Sequence, residues 1–236
     1  METVLHKANC RGNENHGWLN AWHSFSFANY YNPDRIHFGV LRVLNDDFVA
    51  PGNGFGKHPH KDMEIITIPL QGAIAHTDNL GNKSILKAGE VQVMSAGTGI
   101  IHSEFNASDS EMLNLLQIWI FPDKNGYKPS YNQNAYNLVP NQLVRIVSPF
   151  GNSGITIHQQ AWFHLIKTDA LVALKYDFLT PGNCLYIFVI DGILTFNNQD
   201  LNKRDAIGVK NTNTIETEIA ADSFVLFMEI PDLQLQ

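Results

Sequence analysis

Short apolar runs, each broken by Gly, Asn, Asp or Pro, recur along the whole chain. Runs of this kind are typical of β-strands. They predict strands at 36–44, 64–69, 91–94, 113–121, 143–147, 171–178, 185–190 and 223–230. No long segment keeps the 3.6-residue apolar period of an amphipathic helix, so helices should be few and short. The pattern predicts an all-β protein built from antiparallel sandwiches or barrels.

A weak internal repeat divides the chain into two halves. Gln71-Gly72 and Asp191-Gly192 each interrupt two apolar runs in the same way, as a polar residue and a glycine between strands. The stretch 123–141 between the halves is rich in Asn, Pro and Tyr and has the composition of a linker. Two β-domains are therefore predicted, at residues 1–130 and 131–236.

Composition and charge exclude several classes of protein. Hydrophobic residues make up 44% of the chain, which is enough for a buried core, and the net charge is −7. Clustered Lys and Arg residues, which a nucleic-acid-binding groove needs, are absent from the sequence. Cys10 and Cys184 lie too far apart for a metal or redox motif, which favours a reducing compartment. Without a signal-like or membrane-length apolar stretch, the protein is expected in the cytoplasm and not in a membrane. Nothing in the sequence demands a dimer, so a monomer that does not bind nucleic acid is expected.

Two pairs of metal-ligating side chains carry the chemistry of the sequence. One residue separates His58 from His60, and one residue separates His102 from Glu104. Alternate residues of an extended strand point to the same face, so each pair should share a face. If the pairs converge across a barrel, three imidazoles and one carboxylate surround one ion and leave positions open on an octahedral metal. The sequence therefore predicts an open transition-metal site.

The residues alone leave some choices open. Glu64 lies on the same strand parity as the first histidine pair, so it could be the fourth ligand, orient an imidazole or cap a strand edge. His76 has the same parity, but a turn intervenes, which favours a supporting or structural role. No histidine follows His164, so the second half should hold no multi-histidine site.

These motifs resemble those of the pirin family of bicupins, which includes short bacterial members described as quercetin 2,3-dioxygenases. Two stretches are similar to the first and second cupin motifs, and they contain Gly52, His58, His60, Glu64, Gly89, Ser95, Gly97 and His102. Further likeness to the family lies in the stretches 22–31, 41–47 and 94–104. The resemblance is dense up to about residue 130 and sparse beyond it.

The resemblance implies a double-stranded β-helix, or jelly-roll barrel, in each half, with one metal in the N-terminal barrel only. It places the ligands at His58, His60, His102 and Glu104. Fe2+ is the expected ion, and Ni, Co, Cu, Mn and Zn suit the same ligands. Departures from the general cupin pattern, such as Ser95 in place of a usual proline, favour Glu104 over Glu64 as the carboxylate ligand.

The resemblance also implies an activity: the metal-dependent opening of a flavonol such as quercetin with O2. The substrate hydroxyl would bind Fe(II) as an enolate, and Glu104 would assist the loss of its proton. Candidates for an apolar mouth around the flat rings are Phe38, Phe55, Met63 and Ile118. The alternative is a redox-sensing metalloprotein that binds a protein partner as a transcription cofactor; a third reading is a cupin isomerase that does not use oxygen.

Overall fold

Strands account for nearly all the regular structure of the chain. The computed structural model describes residues 1–151 and 153–233. Within those ranges the helical content is a single 3-10 turn at Ala8–Cys10. The strands of the first half are β1 (Glu2–His6), β2 (Gly12–Asn15), β3 (Leu19–His23), β4 (Leu41–Val49), β5 (Gly54–His60), β6 (Glu64–Gln71), β7 (Ala73–Asp78), β8 (Lys83–Lys87), β9 (Glu90–Ser95), β10 (Ile100–Asn106), β11 (Leu113–Ile120) and β12 (Ser130–Ala135).

The second half continues in the same way. Its strands are β13 (Val144–Ser148), β14 (Ile155–Thr156), β15 (Trp162–Lys167), β16 (Val172–Asp177), β17 (Asn183–Asp191), β18 (Ile193–Phe196), β19 (Gln199–Asn202), β20 (Ala206–Lys210), β21 (Thr214–Ile219) and β22 (Phe224–Pro231). These strands confirm the all-β prediction.

Each half is a sandwich of one seven-stranded and one four-stranded sheet. The N-terminal sheets run β12-β9-β6-β11-β4-β3-β2 and β5-β10-β7-β8, and the C-terminal sheets run β1-β20-β17-β22-β15-β13-β14 and β16-β21-β18-β19. The two large sheets have the same order of equivalent strands, and Gly72 and Gly192 follow β6 and β17 at matching places. The fold is therefore the duplicated barrel that the internal repeat predicts.

Central strands of the large sheets bury both faces. On β17, Tyr186 and Phe188 belong to a core between the two barrels, whereas Leu185 and Ile187 fill the inside of the C-terminal barrel. Successive side chains of a strand point to opposite faces, so both faces of β17 need apolar residues. This explains why residues 185–190 form an unbroken apolar run.

The core between the barrels joins the two halves. It buries residues from both, including Phe25, Phe38, Ile66, Ile118, Phe163, Tyr186, Phe188 and Met228. A buried ion-pair group lies in the same region, where Asp46 Oδ2 is 2.9 Å from Arg204 Nε and 3.4 Å from Arg11 Nη1. Because Arg204 comes from the second half, Asp46 on β4 is fixed from both sides.

Two strands cross the predicted division at residue 130. Strand β1 pairs with β20 in the large C-terminal sheet, and β12 pairs with β9 in the large N-terminal sheet. Each barrel thus contains a strand from the other side of the division, while the boundary itself remains a prediction.

One predicted strand is wrong at its beginning. The run 36–44 predicts extended chain from residue 36, but β4 starts at Leu41. Phe38 and Leu41 exchange backbone hydrogen bonds across a tight turn, and Gly39 in this turn has φ of 51°. A Cβ at Gly39 would lie 2.5 Å from the carbonyl oxygen of Pro231. The turn therefore needs glycine there.

No helix in the described ranges is long and apolar enough to cross a membrane.

Candidate metal centre

Three histidine side chains converge inside the N-terminal barrel. His58 on β5 lies directly opposite His102 on β10 in an antiparallel pair, and His60 is paired with Ile100. The ring centroids are 4.4 Å apart for His58 and His102, 4.8 Å for His58 and His60, and 4.9 Å for His60 and His102. One nitrogen from each ring lies within 4.8 Å of the others. The strand register thus brings together three of the four predicted ligands.

Hydrogen bonds at the remote nitrogens orient two of these rings. His58 Nδ1–H donates to the carbonyl oxygen of Gly56 at 2.7 Å, which leaves Nε2 with its lone pair. His102 Nδ1 lies 3.5 Å from His76 Nδ1, and His76 Nε2 lies 3.1 Å from Asp78 Oδ2. If His76 donates to the Asp78 carboxylate, its Nδ1 accepts from His102 Nδ1–H. His102 Nε2 then carries a lone pair toward the other imidazoles, as a carboxylate–histidine support does in metal sites.

The electrostatics of the cluster favour neutral imidazoles. Burial, and to a smaller extent the neighbouring His58, lowers the pKa of His60 to about 4. Burial and the adjacent histidines lower the pKa of His102 to about 2. His102 Nε2 is buried and has no hydrogen-bond partner within the described ranges. Deprotonated ring nitrogens are what a metal requires, and an unpartnered buried one fits a ligand position, so the residues present suit a divalent transition metal.

Glu104 lies on the same face of β10 but forms a different group. Its carboxylate clusters with His76 and His102, and the group of His58, His60 and His102 does not include it. Glu104 accepts hydrogen bonds from Gln117 Nε2 at 2.9 Å and from Gln92 Nε2 at 3.5 Å. Burial raises its pKa to about 7, although both glutamines favour the ionised form.

A row of polar side chains supports this carboxylate. Asn45 pairs with Gln117, Gln117 with Thr67, and Thr67 with Gln92, so the four residues lie side by side on β4, β11, β6 and β9. Thr67 donates to Gln117 Oε1 at 3.0 Å, and Gln92 Nε2 lies 3.3 Å from Thr67 Oγ1. We call these four residues the polar row; two of them, Gln92 and Gln117, donate hydrogen bonds to the Glu104 carboxylate.

A cavity of 200 Å³ opens beside the histidines. Its lining combines aromatic, polar and ligating side chains: Phe27, Asn45, Asp47, Phe55, His58, His60, Glu104, Gln117 and Trp119. Asp47 is buried, and its Oδ1 has no hydrogen-bond partner among the described residues. Burial, with the neighbouring Asp46 and Glu104 carboxyl groups, raises the pKa of Asp47 to about 8. Burial therefore favours the protonated form of this carboxyl group in the cavity wall.

The structure separates Glu64 from this centre. Glu64 is buried on the opposite face of the large sheet, where Ser95 Oγ donates to it at 2.8 Å and the His158 ring lies 3.3 Å away. The ring of His158 also stacks on Tyr127 at 3.8 Å. Glu64 therefore joins the two halves of the chain and does not share a face with His60. The bend at Asp62, with φ of 49°, breaks the strand parity that the sequence suggested.

Three of the four predicted pocket residues lie outside the cavity lining. Phe38 and Ile118 belong to the core between the barrels, so placing them at an apolar mouth was wrong. Met63 packs against the small core cluster around Ile65, whereas Phe55 does line the cavity. For Ile118, strand parity gives the reason, because the neighbouring Gln117 and Trp119 take the inward positions.

Sequence reasoning missed the polar residues inside the barrel. Asp47, Gln92, Gln117 and Asp78 were not predicted to take part in the site. The sequence does contain a signal of such residues, namely a polar residue within an apolar strand. Burying it costs free energy unless it has a hydrogen-bond partner. Asp46-Asp47 inside 41–49 is such a case, with one carboxyl directed to each face of the sheet.

The fold and the site together define a bicupin with a metal-type histidine centre in its N-terminal barrel. Residues 4–120 match the profile of the family described as Pirin, and residues 145–230 match the one described as Quercetinase C-terminal cupin domain. The chain belongs to the pirin family.

Relatives agree with this assignment over nearly the full length. A protein of Escherichia coli (strain K12) named quercetin 2,3-dioxygenase is 42% identical over 231 residues, covering 96% of this chain and 98% of the relative. A pirin-like protein of Caulobacter vibrioides is 39% identical and covers 92% of this chain and 95% of its own. The crystal structure of the Escherichia coli pirin YhhW in complex with nickel(II) has a TM-score of 0.93 and 40% identity, covering 98% of this chain and 100% of that chain.

His76→Phe should weaken metal binding although His76 is not a predicted ligand. Phenylalanine keeps a ring beside Tyr131, whose centroid is 4.5 Å from that of His76, but offers no nitrogen to His102. Loss of such support typically reduces metal affinity about 10–100-fold, and competition with a chelator for nickel(II) measures it. His16→Asn, at an exposed histidine, should bind nickel(II) like the parent protein. Equal affinity in all three proteins would refute the orienting role.

Asp47→Asn should flatten the pH dependence of stability in the metal-free protein. The pKa of Asp47 rises from 3.8 to about 8 on folding, so between these values the folded state keeps a proton that the unfolded state loses. The free energy of unfolding then falls as pH rises, by at most about 1.4 kcal/mol per pH unit. Urea unfolding from pH 4 to pH 8 measures the slope. The exposed Asp109→Asn should keep the parent slope, and an unchanged slope in Asp47→Asn would contradict the assignment.

Proposed function

We propose that this chain is a metal-dependent dioxygenase that opens a flavonol such as quercetin with O2. The observation that carries the proposal is the convergence of three imidazoles on one side of an aromatic-walled cavity. Relatives of 42% identity that bear the name quercetin 2,3-dioxygenase support the reaction class. Iron(II) is the expected metal, and the nickel(II) complex of YhhW supports a divalent transition ion at such a centre.

His58, His60 and His102 would hold the metal through the nitrogens that face each other, with Glu104 as the fourth ligand. A bound divalent metal supplies Lewis acidity, which lowers the pKa of a coordinated hydroxyl group. The Glu104 carboxylate and the His102 ring offer ligand atoms within 4.8 Å of each other, which supports Glu104 as the fourth ligand. A pKa near 7 suits a group that takes a proton at neutral pH.

Two carboxyl groups in the cavity can handle the substrate proton. Glu104 is held by Gln117, whose hydrogen bond favours the ionised form that accepts a proton. Asp47 is kept neutral by burial, and its unpartnered oxygen is available to a hydroxyl or carbonyl group of a ligand. Burial raises the pKa of both groups toward neutrality, where a carboxyl group can accept or donate a substrate proton.

Aromatic walls would hold the flat rings of the substrate. Phe27 packs edge-on against Trp119 at 5.4 Å, and Trp119 packs edge-on against His60 at 4.8 Å. Phe55 closes the opposite side and is fixed by Trp18 at 5.4 Å. The cavity of 200 Å³ is smaller than the roughly 300–1,000 Å³ of most small-molecule sites. It would enclose the reacting part of a flavonol and leave the remaining ring at the mouth.

Loss of quercetin absorbance in air, with metal-loaded protein, tests this function. The parent protein should consume quercetin under air and not under nitrogen. His102→Ala should lower the rate by about 100-fold or more, because metal ions contribute several kcal/mol of transition-state stabilisation. His16→Asn should keep the parent rate. Absence of turnover in air at full metal occupancy would refute the proposal.

Glu104→Gln separates the two roles of this carboxylate. A ligand role predicts a fall in metal affinity of about 10-fold or more, whereas a base role predicts normal metal content and a lower kcat. We expect both effects, with kcat reduced about 100-fold at full metal loading, which is within the usual contribution of a general base. Metal titration followed by the absorbance assay on the same samples measures them, and unchanged values of both would remove Glu104 from the mechanism.

A second candidate function is the redox-sensing, protein-binding module. One observation favours it: Phe105, Ala75 and Ile85 lie side by side on the outer face of the sheet whose inner face carries His102. Phe105 and Ile85 are exposed, and exposed apolar patches are often protein-binding sites. Metal-loaded protein that retains a partner in one iron oxidation state, without consuming quercetin, would favour this function over the first.

A further inference from the structure

A second cavity lies at the C-terminal barrel, which carries none of the predicted metal ligands. Its volume is 450 Å³, within the range of small-molecule sites. The lining consists of Leu143, Arg145, Ser153, His164, Lys175, Tyr176, Asp177 and Leu179. It therefore combines two cationic side chains, hydrogen-bonding groups and two leucines.

A chain of hydrogen bonds fixes one wall of this cavity. Arg145 Nε–H donates to His164 Nε2 at 3.3 Å, so the His164 proton sits on Nδ1. His164 Nδ1 lies 3.5 Å from the Tyr176 hydroxyl, which donates to Glu229 Oε2 at 3.0 Å. Burial and the charge of Arg145 lower the pKa of His164 to about 4. The imidazole is thus a neutral spacer that orients the guanidinium.

The buried carboxylate at the end of this chain does not need the arginine charge. Glu229 is fully buried and also accepts hydrogen bonds from the backbone N–H groups of Leu179 and Thr180, both at 2.9 Å, and from Asn183 Nδ2 at 3.1 Å. Two side chains separate it from Arg145. Its four donors satisfy the acceptor without a direct ion pair.

Arg145 consequently keeps an uncompensated charge at the cavity wall. Its other side-chain hydrogen bond goes from Nη1 to Ser153 Oγ at 3.2 Å, and it forms no ion pair with any carboxylate of residues 1–151 and 153–233. At the rim, Lys175 and Asp177 pair with each other at 3.0 Å, and both are largely exposed. The net charge of the lining is therefore positive, and the guanidinium supplies it.

We propose that this cavity binds a small organic carboxylate. The two carboxylate oxygens would accept hydrogen bonds from the guanidinium of Arg145, whose planar fork matches that geometry. Leu143 and Leu179 would contact the apolar part of the ligand. If Arg145 served only to hold Ser153 in place, it would stabilise the fold. Its substitution would then leave the affinity of the cavity for a carboxylate unchanged.

Titration with benzoate, followed through backbone amide resonances, tests the site. Benzoate supplies a carboxylate on an apolar ring, benzamide has the same shape without the charge, and inorganic phosphate has charge without the apolar group. Benzoate at up to about 10 mM should shift the amides of Leu179 and Asp177 in a saturable way. Benzamide should not shift them, and phosphate should bind more weakly than benzoate.

Three variants of the full-length protein complete the test. Arg145→Gln should weaken benzoate binding about 10-fold or more, and Arg145→Lys, which keeps the charge but loses the fork, should weaken it less. Lys167→Gln, at an exposed lysine on the same strand as His164, should bind benzoate normally. An unchanged amide spectrum away from the cavity shows that each variant is folded.

Several results would overturn the proposal. They are no saturable shift with benzoate, equal binding of benzamide, tighter binding of phosphate than of benzoate, and equal benzoate affinity in the parent and in both Arg145 variants. The amides around His58 report separately on any benzoate at the metal centre, so binding there does not count for this cavity.

Discussion

The pairing of His58 with His102 across two antiparallel strands is the constraint on which the histidine cluster depends. A shift of one residue would send His102 to the outer face, because side chains alternate along a strand. The register is held where Gly54 meets β10, since a Cβ there would lie 2.2 Å from the carbonyl oxygen of Glu104. Between Phe55 and His58, β5 has one more residue than the facing segment of β10. This bulge turns both Phe55 and His58 inward.

Unpartnered polar atoms concentrate at the same place. In residues 1–151 and 153–233, six buried side-chain polar atoms lack a hydrogen-bond partner, and one of them, Ser148 Oγ, lies in the C-terminal half. The other five are His23 Nε2, Asp47 Oδ1, Gln92 Oε1, His102 Nε2 and Trp119 Nε1. Each such atom costs roughly 1–3 kcal/mol when left without a partner. Proteins accept such costs mainly where a ligand, an ion or water completes the bonding, and five of the six atoms are in the N-terminal barrel.

Most strands and the meeting of the histidines could be predicted from the sequence. The features that could not be predicted were hidden for physical reasons. Apolar runs predicted most strands because central strands need apolar residues on both faces, and the spacing of His58, His60 and His102 predicted which side chains meet. The place of Glu64 could not be predicted, because a single bend at Asp62 reverses strand parity. The polar row was also out of reach, since its members are far apart in the chain and meet only through strand order.

Strand pairing also explains why the two barrels differ inside. Counted from Gly72 and Gly192, Thr67 on β6 corresponds to Ile187 on β17. The partner of Thr67 is Gln117, and that of Ile187 is Phe227.

The comparison extends across both large sheets. The polar row Asn45–Gln117–Thr67–Gln92 has as its counterpart the row His164–Phe227–Ile187–Ile207. Phe227, Ile187 and Ile207 pack together in the apolar core that fills the C-terminal barrel. In the first barrel, the amide groups of the polar row donate hydrogen bonds to the Glu104 carboxylate. In the second barrel, the equivalent positions are apolar and contribute to the core. His164 is the one polar member of the second row, and it lies at the edge of that barrel, where the hydrogen-bonded chain to Glu229 begins. The same strand order can therefore carry a polar row below a histidine cluster in one barrel and an apolar core in the other.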